Sequence, residues 1–330
     1  MFTSTSGGPA RHHSATSDER AHVALLLEVA RRYWEQGQSQ ADIAGAVGYS
    51  RPTVSRLLTE ARARGVVQIR VSHPLERVLR IEQALVERFG LTAARVAAPG
   101  ESAATQQDVA RCAADLVVER AQEDVVLAVS NGLAVAATVD ALPDLAWSAS
   151  RVVQMIGSVG RSDVLLDSPE TVRSTAAKLG GRYHALPVPL VVGSADVARD
   201  LMGNEQVGAT LELAARADLA LVGVGAVVRG RSGQILSAYE DVELAAALAR
   251  MGAVGHICGH HFDAQGRHLR TSLCERTIAV DPDRMRSIPL VIGVAWGPDK
   301  LPALRAALAG GYLSALVTDR DTAVALLDAR

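Results

Sequence analysis

Arg51, Thr53, Ser55 and Arg56 stand within residues 51–70, a segment that carries Arg51, Arg56, Arg62, Arg64 and Arg70 against the single acid Glu60. Guanidinium and hydroxyl groups at that density suit phosphate oxygens and base edges, so an anionic partner is expected for this segment. Further along, His256, Cys258 and His260 alternate, with His261 next door. On a strand that spacing would set three metal-capable groups on one face, which is zinc or copper chemistry. Lys178 and Lys300 are the only lysines among 34 Lys and Arg residues, so a compact point charge is available at two places only. Asp163, Asp167, Asp263 and His256 could serve a proton-transferring enzyme, but no spacing pairs an acid with a base. There is no GxSxG or Walker sequence. After Gly223-Val224-Gly225 the third glycine position of a dinucleotide fingerprint is Val228, and no helix opens there.

The basic segment sits in a helical pattern. Val23, Leu26, Leu27, Ala30 and Tyr33 recur at three- and four-residue steps, which predicts an amphipathic helix from about Asp18 to Glu35, stopping at Gly37. Ser39 caps a short helix with Asp42 completing a box-like start, Ile43, Ala44 and Val47 inward, and Gly48 at its end. Ser50 caps a third helix, Pro52 fits its first turn, and Val54, Leu57 and Leu58 face the core. Ala44, Gly48 and Val54 form a helix-turn-helix signature: a small residue at the crossing, a positive-φ turn and a β-branched lock. Arg51, Thr53, Ser55 and Arg56 then project from the first turns of the recognition helix, and Gln40 is placed for a phosphate contact. Val66 to Val71 alternates as a short strand, a wing. A small helical bundle for protein contact is the competing reading, and the agreement of caps, turn glycine and charge favours DNA.

Charge divides along the chain. Residues 1–75 hold nine Arg and six acids, net +3, which leaves −5 of the formal −2 to the remainder. A wholly basic binder is excluded. Three cysteines, Cys112, Cys258 and Cys274, include no CxxC pair, so a disulfide framework is not expected and a reducing cytoplasm is. Met1 to Ser17 is Ser/Thr/Gly-rich with no apolar h-region, a disordered leader rather than a signal peptide. No apolar run suits a membrane span; the most apolar region, Val125 to Trp147, is interrupted by Ser130, Asn131, Gly132, Asp140, Pro143 and Asp144.

The remaining length alternates apolar runs with helical patterns. Leu75 to Phe89 predicts a connecting helix with enough apolar surface for a dimer seam or for packing on the body. Strands are expected at Val125–Ser130, Val152–Ile156, His184–Pro187, Leu219–Val224, Ile278–Val280, Leu290–Ala295 and Ala315–Thr318. Helices are expected at 106–121, 132–142, 169–181, 206–216, 241–251, 300–309 and 321–328. This is a two-domain α+β chain whose body is a largely parallel α/β sheet covered on both faces. In such sheets ligands sit at the C-terminal strand ends.

The run Ser39 to Ala44 through Arg51 to Leu58 resembles the N-terminal domain of SorC-type sugar-sensing transcriptional regulators. So do Val152 to Gly157, Leu186 to Leu190, Ala217 to Gly225, Gly252 to Gly259, Ile288-Pro289, Gly297 to Lys300 and Leu316 to Asp319. The resemblance covers about Val23 to the C-terminus. It implies a body related in fold to ribose-5-phosphate isomerases and glucosamine-6-phosphate deaminases, binding a sugar, polyol or sugar phosphate. It also implies double-stranded operator DNA and self-assembly as a dimer or tetramer, with no cofactor and no membrane. The domains become a leader (1–17), the helix-turn-helix (18–74, with Ser50 and Pro52 at the reading helix), a connecting helix (75–90) and an effector domain (91–330).

Carried over residue by residue, the effector pocket has three parts: Ser130, Asn131, Gly132, Leu133 and Ala134; Gly157, Ser158, Val159 and Gly160; and Lys300, facing an anionic ligand. Ala134 stands where the family commonly has Thr, which removes a hydroxyl donor. His256 replaces a usual acid. Cys258 occurs in the family pattern without metal and no fourth ligand is evident, so no metal is expected. A sugar-phosphate isomerase- or deaminase-like enzyme with a fused DNA-binding domain is the alternative, and no catalytic residue is assigned.

Overall fold

A computed structural model of the chain describes residues 17–67, 74–97, 106–160, 168–228, 231, 232, 236, 239 and 242–328. The chain divides into two compact units, Met1–Ser72 and His73–Arg330.

The first unit is built on α1 (Ser17–Ala30), α2 (Gln40–Val47) and α3 (Arg51–Ala63). Leu26, Val29 and Ala30 of α1, Ile43 of α2 and Val54, Leu57, Leu58 and Ala61 of α3 form its buried core. Tyr33 and Leu27, expected inward, are exposed instead, and Trp34 packs on this core. At Tyr33 the cause is a π-helical turn, Arg31–Glu35, that follows α1 and carries an i→i+5 bond from Gln36 N–H to Arg31 O. One extra residue in the turn rotates the aromatic pair by about a residue, so 34 takes the place that 33 would have held. Val66 and Val67 pack on the same core. The rest of the expected wing, 68–71, lies outside the described residues, as does nearly all of the expected leader.

The second unit contains a seven-stranded, all-parallel sheet in the order β1-β11-β10-β5-β2-β3-β4. Its strands are β1 (Ala93–Ala97), β2 (Val126–Val129), β3 (Arg151–Gln154), β4 (Arg182–His184), β5 (Leu219–Gly223), β10 (Leu290–Val294) and β11 (Ala315–Asp319). Side chains alternate faces along a strand, and the core divides accordingly. Ala94, Val96, Val126, Ala128, Ala220, Val222, Val291 and Leu316 point to one face. Ala93, Ala97, Leu127, Val129, Leu219, Leu221, Ile292 and Val317 point to the other.

That second face is covered by α5 (Gln106–Arg120), α6 (Leu133–Ala141) and α7 (Ser168–Leu179). The first is covered by α4 (Pro74–Phe89), α9 (Glu205–Ala215), α12 (Leu301–Ala309) and α13 (Arg320–Asp328). α4, expected as a connector, packs on β1 and α13 through Val78 and Leu85, leaving Leu79 exposed. α8 (Ala195–Gly203) and α9 cover a satellite cluster of Leu186, Val188 and Ile278. Ile278–Val280, expected as a strand, makes only one isolated bridge, Ala279 to Ile156. Its apolar side chains are buried, Ile278 under α8 and α9 and Ala279 and Val280 in the main core, so an apolar run is present without a neighbouring ladder to join.

A second sheet was not expected. β6 (Gly225–Val228), β7 (Arg231–Ser232), β8 (Ala253–Ile257) and β9 (His260–Asp263) pair antiparallel in the order β7-β6-β8-β9. α10 (Val242–Arg250) precedes β8, and the short α11 (Pro282–Met285) follows β9.

Candidate functional site

In the first unit α3, the expected recognition helix, is defined by its caps. Ser50 Oγ accepts from Thr53 N–H at 3.3 Å and shares a 2.8 Å hydrogen bond with Thr53 Oγ1, and Pro52 occupies the first turn. Ser39 and Asp42 form a reciprocal capping box at α2, and Gly48 ends α2 at φ 73°. A side chain at that φ would cost about 1–2 kcal/mol, so glycine fixes the turn between α2 and α3. Arg51, Pro52, Ser55 and Arg56 are exposed, and Gln40 and Thr53 half-exposed. Among the described residues neither Arg51 nor Arg56 has an ion-pair partner, whereas Arg64 is tied to Glu60, which also holds His22 of α1. Among the described residues two guanidinium groups are therefore without an ion pair on the first turns of α3.

In the second unit a cavity of about 380 Å³ opens at the C-terminal ends of β2, β5 and β10. From β2 the chain crosses through α6 to β3, and from β10 it crosses through α12 to β11, on the opposite side of β5. The two connections diverge and leave a crevice between them, where doubly wound sheets bind ligands. Ser130 to Ala134 form one wall, and Val159, His256 and Lys300 complete the expected residues on the lining. Gly132, at φ 111°, delivers the chain into α6, whose first turn has no side-chain cap. The first amides of a helix lack intrahelical acceptors and carry its positive dipole end, so this wall favours an anion. Ser130 Oγ already accepts from Gly223 N–H at 3.3 Å, while Asn131 Nδ2 is buried with no hydrogen-bond partner among the described residues.

Lys300 closes the 3-10 turn Pro298–Lys300 before α12. The loop leading to it is pinned where Gly297 N–H donates to Asp319 Oδ2 at 3.0 Å and Thr322 Oγ1 at 2.9 Å. Burial draws the Lys300 ammonium below the ordinary lysine range, Asp299 pulling weakly the other way. No ion pair engages it among the described residues. Lys178, by contrast, meets Asp144 at 3.3 Å on the surface.

His256 lies at the floor, 3% exposed, its ring over Gly225 of the paired strand. Burial first, then the neighbouring His261 and Lys300, draws the His256 imidazole well below the usual histidine range. Its Nε2 is buried without a hydrogen-bond partner among the described residues. The expected alternation of His256, Cys258 and His260 on one face does not occur. Cys258 (φ 51°) and Gly259 (φ 82°) make the tight turn between β8 and β9. His256 consequently faces His261 across the hairpin, ring centroids 5.5 Å apart, and His260 points elsewhere.

Gly157, Ser158 and Gly160 do not line the cavity. Gly157 is small because the Pro189–Leu190 backbone fills the space a Cβ would need, and Ser158 Oγ accepts from Gly160 N–H at 3.2 Å. Of the enzyme candidates, Asp263 accepts from Gln265 N–H, Arg267 N–H and Arg267 Nε, and Asp163 and Asp167 lie outside the described residues. Sequence reasoning missed Gly223-Val224-Gly225, the Cys258-Gly259 turn and Trp296 as lining. Their signal was position: each follows the end of β5, β8 or β10.

Residues 73–328 match the sugar-binding domain family model, Sugar-bind. The chain belongs to the SorC-type family of sugar-sensing transcriptional regulators. It is 32% identical to the deoxyribonucleoside regulator of Bacillus subtilis (strain 168), over 94% of this chain and 99% of that one. It is 30% identical to the sorbitol operon regulator of Klebsiella pneumoniae, over 92% and 98%. The full-length structure of the Klebsiella regulator SorC matches with a TM-score of 0.74 and 28% identity, covering 93% of this chain and all of that one. The matched residues 73–328 fall in the second unit, and no helix among the described residues is long and apolar enough to cross a membrane.

Proposed function

We propose that the cavity takes a sugar carrying an anionic group, a sugar phosphate ahead of a neutral sugar or polyol, and that its occupancy sets operator affinity. One observation carries this reading: Lys300 and the first amides of α6 line the cavity, and among the described residues no carboxylate does. An unpaired, largely buried cation is costly, and a bound anion offsets that cost. Asn131 and His256 would meet hydroxyls, and Trp296 would cover an apolar ring face. The missing hydroxyl at Ala134 leaves backbone amides and Lys300 as the anion's donors.

The same lining argues for a sensor rather than an enzyme. A base is needed for isomerisation or deamination, and His256, with its conjugate acid far below neutrality, takes protons poorly at pH 7. On the DNA side, Arg51, Thr53, Ser55 and Arg56 would read base edges and phosphates, Ser50 and Pro52 would set the helix start, and Gln40 would hold a phosphate. A dimer, or a pair of dimers, in the cytoplasm would place two such helices in successive major grooves of a pseudo-palindromic operator. Effector shifts the DNA-binding equilibrium by its differential affinity for the two arrangements.

Thermal-shift titration tests the effector class. Ribose 5-phosphate, glucosamine 6-phosphate, ribose, sorbitol and inorganic phosphate are the probes. Stabilisation by a phosphorylated sugar beyond that of its free sugar supports the reading. Stabilisation confined to neutral sugars or polyols contradicts it.

A further inference from the structure

Outside the cavity, the hairpin turn that redirects His260 brings it against two residues from the following loop. His260 opens β9 and is buried, His268 lies in the loop after β9, and Cys274 begins the 3-10 turn Cys274–Arg276. Cys274 Sγ is 3.3 Å from His260 Nδ1 and 3.2 Å from His268 Nε2, and the two rings stand edge to face with centroids 5.2 Å apart. The three ligand atoms lie within 4.8 Å of one another. We propose that His260, His268 and Cys274 form a binding site for a thiophilic d10 cation, Zn²⁺, with a fourth position open to water or a nearby carboxylate.

The spacing is close to what such an ion needs. With Zn–S about 2.3 Å and Zn–N about 2.0–2.1 Å, a tetrahedral site separates sulfur from nitrogen by roughly 3.5 Å. The two sulfur–nitrogen edges present differ from that by a few tenths of an ångström, within reach of small rotations of the half-buried Cys274 and His268. Ligand types agree as well: one soft thiolate with two imidazoles favours zinc over magnesium or calcium. His260 is held neutral by burial, its pKa near 3, the form in which imidazole binds metal. Burial raises the Cys274 thiol, so binding displaces its proton to solvent as the sulfur–zinc bond forms. Asp281 is the acid whose charge reaches all three residues, opposed at His268 by Arg270 and Arg286. The backbone holds the ligands in place independently of any ion: Leu269 N–H donates to His261 O at 2.8 Å, and Cys274 N–H to Thr271 Oγ1 at 3.1 Å.

The test uses the full chain, reduced and freed of metal by chelator, then titrated with Co²⁺ and back-titrated with Zn²⁺. The expected result is one cobalt per chain with a near-ultraviolet thiolate-to-cobalt charge-transfer band, displaced by zinc. Cys112→Ser should keep the band. Cys274→Ser, checked for fold by circular dichroism, should lose it and bind zinc at least about tenfold more weakly. If Cys274→Ser does not fold, His268→Gln should weaken zinc binding to a similar degree. Absence of the band in the wild type overturns the proposal, as does its persistence in folded Cys274→Ser or unchanged zinc affinity in His268→Gln. Cobalt held only by other histidines, such as His12 and His13, would give no thiolate band and would count against it.

Discussion

Gly225 on β6 and His256 on β8 are directly paired, and the imidazole of His256 occupies the space that a Cβ at 225 would fill. The glycine and the histidine are one unit: the first has no side chain because the second lies across its backbone. Gly225→Ala should therefore displace the ring, destabilise the body by about 1–3 kcal/mol through overpacking, and blunt the effector response. Adding His256→Ala should restore part of the lost stability. Strictly additive losses in chemical denaturation of the two single variants and the double would show that the two residues are uncoupled.

His256 also sets a pH dependence. Its folded-state pKa lies well below 6.5, driven there by burial, then by His261 and Lys300, with no acid opposing them. As pH falls below about 6.5 the unfolded chain takes up a proton that the folded chain refuses. Stability is thus intact above that pH and is lost on acidification. Relative to His256→Gln, the wild type should lose up to about 1.4 kcal/mol per pH unit in mild acid. Identical slopes in urea titrations of both proteins at pH 4.5 to 7.5 would refute a neutral buried imidazole.

Arg51→Ala and Arg56→Ala should each weaken operator binding while leaving effector-induced thermal stabilisation intact. If the contact is to a phosphate, the log–log salt slope falls by about one; if it is to a base, specificity at one position drops by about 1–3 kcal/mol. Anisotropy titrations at several salt concentrations distinguish the two. Wild-type affinity in both variants would remove α3 as the reading helix.

The parts legible in the sequence were those with local causes. Ser39, Gly48 and Ser50 announce the ends of α2 and α3 through caps and a positive-φ turn. Strands β2, β5, β10 and β11 are buried apolar runs, and most of the crossover helices repeat at helical spacing. The second sheet was hidden because its determinants are tertiary. A tight hairpin turn with two positive φ angles is normally signalled by Asn-Gly, and here Cys258 stands at the first position. β6 is short and half-exposed, without an alternating stripe. Tyr33 was misassigned because a single π-helical turn breaks the 3.6-residue count. At the cavity, Lys300 and Ser130 to Ala134 followed from strand ends and from the family resemblance. Gly157, carried over from the same resemblance, is not on the lining, because a glycine excused by a neighbouring backbone looks the same in sequence as one excused by a ligand.

The central claim is that one cation in the body answers the effector while two guanidinium groups elsewhere hold DNA. Lys300→Ala tests it most directly, in the full chain, with operator DNA monitored by fluorescence anisotropy as effector is added. The variant should bind operator as the wild type does and require about 10- to 100-fold more effector for the same response, the loss of one charge-assisted contact. A folded variant that responds at wild-type effector concentrations, or that loses operator binding along with the response, would contradict it.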